Sequence, residues 1–258
     1  MKSIFKSIMV VQLFLALGLS YAGNAKVLIV LTSHSDLGNT GKKTGVWLPE
    51  LTHPYYILKE SGYTVDIASI KGGMAPIDIK SFDEVDREQK RFLKDAVLMA
   101  KVIRTIPLEK VDPKDYKVVL FSGGSGPMWD FPNNKDVKRV SSAIYEQGGV
   151  VSALCHGNAA LVNIKLSNNK YLVAGKRVAA FTNKEENMLG TSKVVPFLLE
   201  DKLIERGALH IAGKAWQENV IVDGRLITGQ NPASAKRVGK YIIEYLKGEN
   251  RKKMIATE

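Results

Sequence analysis

Apolar residues along this chain gather into short, dense runs, and stretches of mixed polarity long enough for helices lie between them. Lys26–Leu31 reads Lys-Val-Leu-Ile-Val-Leu, the near-continuous pattern of a strand buried on both faces of a parallel sheet. Similar runs at Thr64–Ser69, Val118–Phe121 and Val150–Leu154 predict three more strands. Helices are expected over Tyr55–Ser61, Asp86–Ala100, Asp136–Gln147 and His156–Asn163, with Val195–Arg206 and Ala233–Lys247 completing the set. This alternation predicts a doubly wound α/β sandwich around a mostly parallel sheet. Lys71–Tyr116 is long for a connection and rich in charge, so it is expected to be an insertion or cap over one end of the sheet.

The ends of the chain follow other rules. Lys2 and Lys6 precede the apolar run Ile8–Leu19, and small residues follow at Ser20, Ala22, Gly23 and Ala25. That is the layout of a secretory signal peptide, too short to span a bilayer. Residues 1–25 are therefore set apart, and the product is expected to be exported, periplasmic or secreted, with no stable membrane insertion after cleavage. The remaining residues, 26–258, suffice for one domain with a full core. The polar tail from Gly248 is expected to fray.

Charge changes the picture little. The chain carries +11, and removing Lys2 and Lys6 leaves +9. The basic residues are scattered, with tight clusters only at Lys42-Lys43 and Arg251-Lys252-Lys253, and no nucleic-acid motif accompanies them. No nucleic-acid partner is expected. The four histidines, His34, His53, His156 and His210, are too dispersed to spell a metal site, and no metal or organic cofactor is expected.

The single cysteine matters more, because it excludes an internal disulfide in a chain bound for an oxidising compartment. Val150–Leu154 runs straight into Cys155-His156-Gly157-Asn158-Ala159-Ala160. A strand, a small-residue turn and a helix with a nucleophile at the turn make a nucleophile elbow. The helix N-terminus is expected to lower the thiol pKa and leave much of the sulfur as thiolate. His156 reaches that sulfur only if the turn is sharp, and a third group should then orient the ring. Phe121-Ser122-Gly123-Gly124-Ser125-Gly126 lacks the Lys-Ser/Thr of a phosphate loop and reads better as an oxyanion hole.

Several stretches, in order, resemble the DJ-1/PfpI superfamily: Gly45-Val46-Trp47-Leu48-Pro49-Glu50, Ala75-Pro76-Ile77-Asp78, the Gly-Gly-x-Gly loop, Ala153-Leu154-Cys155-His156-Gly157, Phe181-Thr182-Asn183-x-Glu185-Glu186 and Thr228-Gly229-Gln230-Asn231-Pro232. The group of glyoxalase III enzymes and chaperones is the nearest in pattern. The resemblance implies a flavodoxin-like three-layer sandwich whose catalytic residues are Cys155, His156 and an orienting carboxylate, Glu186 by its place in the motif and Glu185 if the register slips. It also implies that Glu50 presses on the sulfur, that Gly124 and the His156 backbone form the oxyanion hole, and that Ser125 stands where the group carries His. The implied reaction turns methylglyoxal or a related small reactive carbonyl compound into a 2-hydroxy acid without glutathione. Deglycation or peptide hydrolysis by the same residues, a holding chaperone and a redox sensor are the rivals, and a homodimer is left open. If ionised, Glu50 would repel a thiolate; if protonated, it would donate a hydrogen bond to it.

Overall fold

The structure, a computed structural model, describes residues 25–83 and 85–248. The expected leader and the tail lie, but for Ala25 and Gly248, outside the described residues.

In chain order the elements are β1 (Lys26–Leu31), α1 (Leu48–Glu60), β2 (Thr64–Ser69), α2 (Arg87–Phe92), α3 (Ala96–Ile103), β3 (Ile106–Pro107), β4 (Tyr116–Phe121), α4 (Pro127–Asp130), α5 (Lys135–Glu146) and β5 (Val150–Leu154). There follow a 3₁₀ helix (Cys155–Asn163), β6 (Arg177–Val178), α6 (Asn183–Leu189), α7 (Leu199–Glu205), β7 (Leu209–His210), β8 (Val220–Asp223), β9 (Leu226–Gly229) and α8 (Ala235–Lys247). Seven strands form one sheet in the order β3-β2-β1-β4-β5-β9-β8. All neighbours are parallel except β8 and β9. Among the described residues no helix is long and apolar enough to cross a membrane.

The dense apolar runs arise because both faces of the central strands are covered. In β1, Val27, Ile29 and Leu31 enter one core while Leu28 and Val30 enter the other. Alternate residues of β4 and β5 divide in the same way. Helices α1 and α8 cover one face, with Leu51, Tyr55 and Leu58 meeting the same core as Val238 and Ile242. Helix α5 covers the other through Val137, Val140 and Ile144.

Strands β1, β2 and β5 match the expected spans, and β4 begins two residues early. Helix α1 differs: it starts at Leu48 and runs through Pro54 instead of beginning after it. Pro49 suits the first turn, where an amide needs no partner, and packing of the buried face outweighs the interior proline. The span expected as one helix over Asp86–Ala100 is two, α2 and α3, each capped by an aspartate, Asp86 and Asp95. Helices α7 and α8 start later than expected. The stretch after Cys155 is a 3₁₀ helix throughout, beginning at the cysteine itself.

The supposed cap also divides. Ile106–Pro107 extends the sheet as β3, and Ile77 pairs with Val46 beside the site. Strands β3, β6, β7, β8 and β9 were not foreseen. For the last pair the signal was there: Val220–Asp223 and Leu226–Gly229 flank the two-residue turn Gly224-Arg225, with glycine first and at positive φ.

Strand order reverses direction between β1 and β4, so the crevice at their carboxyl ends is where an open α/β sheet receives a ligand. The elbow turn packs under that crevice. A Cβ on Gly157 would collide with the Phe121 carbonyl oxygen at the end of β4. Gly157→Ala is expected to cost about 1–3 kcal/mol, read as a lower thermal or denaturant midpoint.

Candidate active site

Three strand ends supply the centre. Cys155 follows β5, Gly123 and Gly124 follow β4, and Glu50 lies in the first turn of α1, reached from β1. Trp47, which precedes that helix, donates its backbone N–H to the Gly123 carbonyl at 3.0 Å and so ties the two loops together. Cys155 has φ of 53°, the left-handed conformation costly for any residue with a Cβ. That sharp turn brings the adjacent side chains together: His156 Nδ1 lies 3.5 Å from Cys155 Sγ.

The ring's other nitrogen meets Glu186 Oε2 at 2.8 Å, and the Thr191 hydroxyl donates to Oε1 of the same carboxyl. These hydrogen bonds hold the Glu186 carboxyl below its ordinary value against the opposing effect of burial. An ionised Glu186 accepts, so Nε2 carries a proton, and in the neutral ring Nδ1 then presents its lone pair to the sulfur. Phe181 packs against the ring with centroids 4.1 Å apart.

The neighbouring carboxylate does something else. Glu185 accepts from the Thr182 amide and hydroxyl, the Trp216 amide, Asn231 and Gln230. It caps α6 and ties the Trp216 loop to the segment after β9. Of the two carboxylates, Glu186 is the one at the histidine.

Glu50 is fully buried. Its carboxyl lies against Cys155 and Gly123, yet neither oxygen closes a hydrogen bond of ordinary geometry. A Cβ on Gly123 would stand 2.5 Å from Glu50 Oε2 and 2.8 Å from the Cys155 Cβ, so the missing side chain is what lets acid and thiol meet. Burial pushes the Glu50 carboxyl up to about 8, with the thiol and the Gly123 backbone pulling it partly back.

The expected thiolate is overturned at this point. Burial first, and then the charge of Glu50, raise the Cys155 thiol well above its ordinary value. The backbone N–H groups of His156 and Gly124 face the sulfur and oppose the shift without cancelling it. At neutral pH the resting centre therefore holds a neutral thiol beside a neutral acid. The helix N-terminus was the visible signal; the desolvation that outweighs it belongs to the tertiary structure.

A cavity of about 110 Å³ opens on these groups. Glu50, Gly124, Ser125, Cys155 and His156 line it, with Trp47, Phe181, Leu189 and Trp216 as apolar walls. Ser125 follows Gly124 in that lining. Thr191 and Trp216 were not foreseen, and neither lies in a recognisable motif.

The sequence profile of the DJ-1/PfpI family matches residues 43–245. The chain belongs to the DJ-1/PfpI family. Among its relatives, Glyoxalase 3 of Candida albicans is 32% identical over 228 residues, covering 84% of this chain and 97% of the relative. The glutathione-independent glyoxalase of Saccharomyces cerevisiae is 33% identical over 236 residues, covering 86% and 98%. Among solved structures, the Francisella tularensis Rapid Encystment Protein superposes with a TM-score of 0.84 at 43% identity, covering 86% of this chain and 99% of that one. Crystalline glyoxalase III of Candida albicans gives 0.80 at 31% identity, covering 86% and 97%. Membership agrees with the parallel sheet and with the strand-end position of the cysteine.

The buried acid links stability to pH. Glu50 has an ordinary value of 4.5 and one of about 8 in the fold. Below 4.5 both folded and unfolded chains hold the proton. Between the two values only the folded chain holds it, so stability falls as pH rises through that window and the full cost stands above it. Glu50→Gln is expected to match the parent near pH 4.5 and to be more stable by about 3 kcal/mol near pH 7, read from urea unfolding at both pH values.

Proposed function

We propose that this protein is a glutathione-independent glyoxalase, a cofactor-free lyase that converts methylglyoxal or a related 2-oxoaldehyde to the 2-hydroxy acid. The observation that carries the reading is the neutral Glu50 carboxyl set against the one thiol, with the His156–Glu186 pair also reaching the sulfur through Nδ1. Relatives that align over most of the chain are named for this activity.

The geometry supports a sequence of proton movements that balances. His156 Nδ1 takes the thiol proton as the sulfur bonds to the aldehyde carbon, and Glu50 protonates the carbonyl oxygen to complete the hemithioacetal. The Glu50 carboxylate then removes the proton from that carbon. The His156 imidazolium gives its proton to the ketone oxygen as the enediol forms, and the carbon-bound proton passes from Glu50 to the adjacent carbon. The hydroxyl proton of the sulfur-bearing carbon returns to Glu50, leaving a thioester on Cys155 with the imidazole neutral and Glu50 protonated again. Water activated by His156 cleaves the thioester, releasing the hydroxy acid and restoring the thiol. The Gly124 and His156 amides stabilise the oxyanion that develops at the sulfur-bearing carbon. Glu186 keeps the imidazole in the required tautomer.

The cavity beside the sulfur is small, about 110 Å³, and is walled by Trp47, Phe181 and Trp216. It suits a carbonyl compound of a few heavy atoms and disfavours a polypeptide, which ranks deglycation or peptide hydrolysis below the glyoxalase reading.

Methylglyoxal offered without glutathione is expected to disappear with lactate appearing in equal amount. Cys155→Ala should reduce turnover to background, and Glu50→Gln should lower kcat by about 10²–10⁴. Undiminished turnover in either variant sinks the mechanism. Because the acid must start protonated, kcat/KM is expected to fall as pH rises through about 8. A rise through that range would mean that an ionised Glu50 is the working form.

We also propose that residues 1–25 direct export. Expressed from its full sequence in a bacterial host, the protein should appear in the periplasm or medium with a mass fitting a start near Lys26. Full-length protein confined to the cytoplasm would refute this.

A further inference from the structure

We propose that the cavity is built for an anionic 2-oxoaldehyde, one whose far end carries a carboxylate or phosphate, and that Lys42 and Lys80 hold that end. The inference rests on the glyoxalase reading and adds the charge of the substrate to it.

Both lysines line the cavity beside the sulfur. Among the described residues neither ammonium has a hydrogen bond or an ion pair, whereas the adjacent Lys43 is tied to Asp36 at 2.5 Å. Lys42 sits on a turn closed by its own carbonyl, which accepts from the Leu37 amide at 2.9 Å, and by the Lys43–Asp36 pair. Lys80 sits in the 3₁₀ turn Ile79–Phe82, whose N-cap is Asp78. Two separate, anchored segments therefore deliver unpaired positive charge to one small space.

The carboxyl groups lining that space cancel only part of it. Glu50 keeps its proton to about 8. Asp78 accepts from the Thr44 hydroxyl at 2.9 Å and from the Lys80 backbone amide at 3.0 Å, and its carboxylate offsets one of the two lysine charges, leaving a net positive charge among the three residues. Both lysines are exposed, so their field at the sulfur acts through solvent and is weakened by salt. Methylglyoxal is uncharged and would use neither lysine. A substrate with a distal anion would gain from both, and Lys80 also borders the wider groove next to the cavity, so such a tail can project outward past it.

The test reads the charge preference at the sulfur itself. Cys155 is the only cysteine of the chain, so alkylation by iodoacetate and by iodoacetamide reports on the cavity whether or not an aldehyde is turned over. The two reagents are of nearly equal size, and each loses iodide to the sulfur. The iodoacetate-to-iodoacetamide rate ratio, normalised to a free small thiol, is expected to be raised several-fold at low salt and to approach that of the free thiol at about half-molar salt. In the double variant Lys42→Gln/Lys80→Gln it should fall about three- to tenfold. The ratio of kcat/KM for dioxopentanoate, a 2-oxoaldehyde with a terminal carboxylate, to that for methylglyoxal should fall in parallel. A labelling ratio in the double variant within about twofold of the parent's overturns the anion site. If the labelling preference is present but neither aldehyde is consumed, the anion site stands and the glyoxalase reading is what fails.

Discussion

The centre of this protein depends on a carboxyl and a thiol forced together where both lose nearly all contact with water. Glu50 is fully buried and Cys155 nearly so, and neither oxygen of the acid closes an ordinary hydrogen bond. Leaving a carboxyl in that state costs stability, and the fold meets the cost by keeping the proton on it. The same desolvation, with Glu50 alongside, holds the thiol in its protonated form. The thiol and the acid therefore both rest protonated, and His156 Nδ1 is the ring nitrogen beside the sulfur, 3.5 Å away.

Every element around the centre serves that juxtaposition. The absent side chain of Gly123 opens the contact, the left-handed turn at Cys155 folds the histidine back onto the sulfur, and the Trp47 amide fastens the loop before Glu50 to the loop after β4. The strand ends coincide because β1, β4 and β5 are adjacent and in register, Val30 with Phe121 and Phe121 with Ala153. Behind the histidine, Glu186 and Thr191 fix the ring while Glu185, one residue away, holds the surrounding loops. Two neighbouring carboxylates on the short helix α6 face opposite tasks.

Much of this was legible in the sequence. Central strands are apolar on both faces, so their runs could be read almost to the residue. The elbow could be read because a strand, a turn and a lone cysteine follow one another without a gap. The short edge strands β3, β6 and β7 carry too few residues for any periodicity to emerge, and α1 was misjudged because an interior proline is a strong local signal that packing overrode. The resemblance of motifs singled out Glu50 and Glu186, which spacing alone would have left among 26 acidic residues.

The sequence by itself determined the layered α/β architecture and the place of its one cysteine at a strand end, because hydrophobic period and turn chemistry are local properties of the chain. The protonation state of the centre, the choice between Glu185 and Glu186, and the gathering of Lys42 and Lys80 at one cavity were decided only by tertiary structure. Each depends on how much water a group loses and on which distant segments arrive beside it, and neither quantity is written in the spacing of residues.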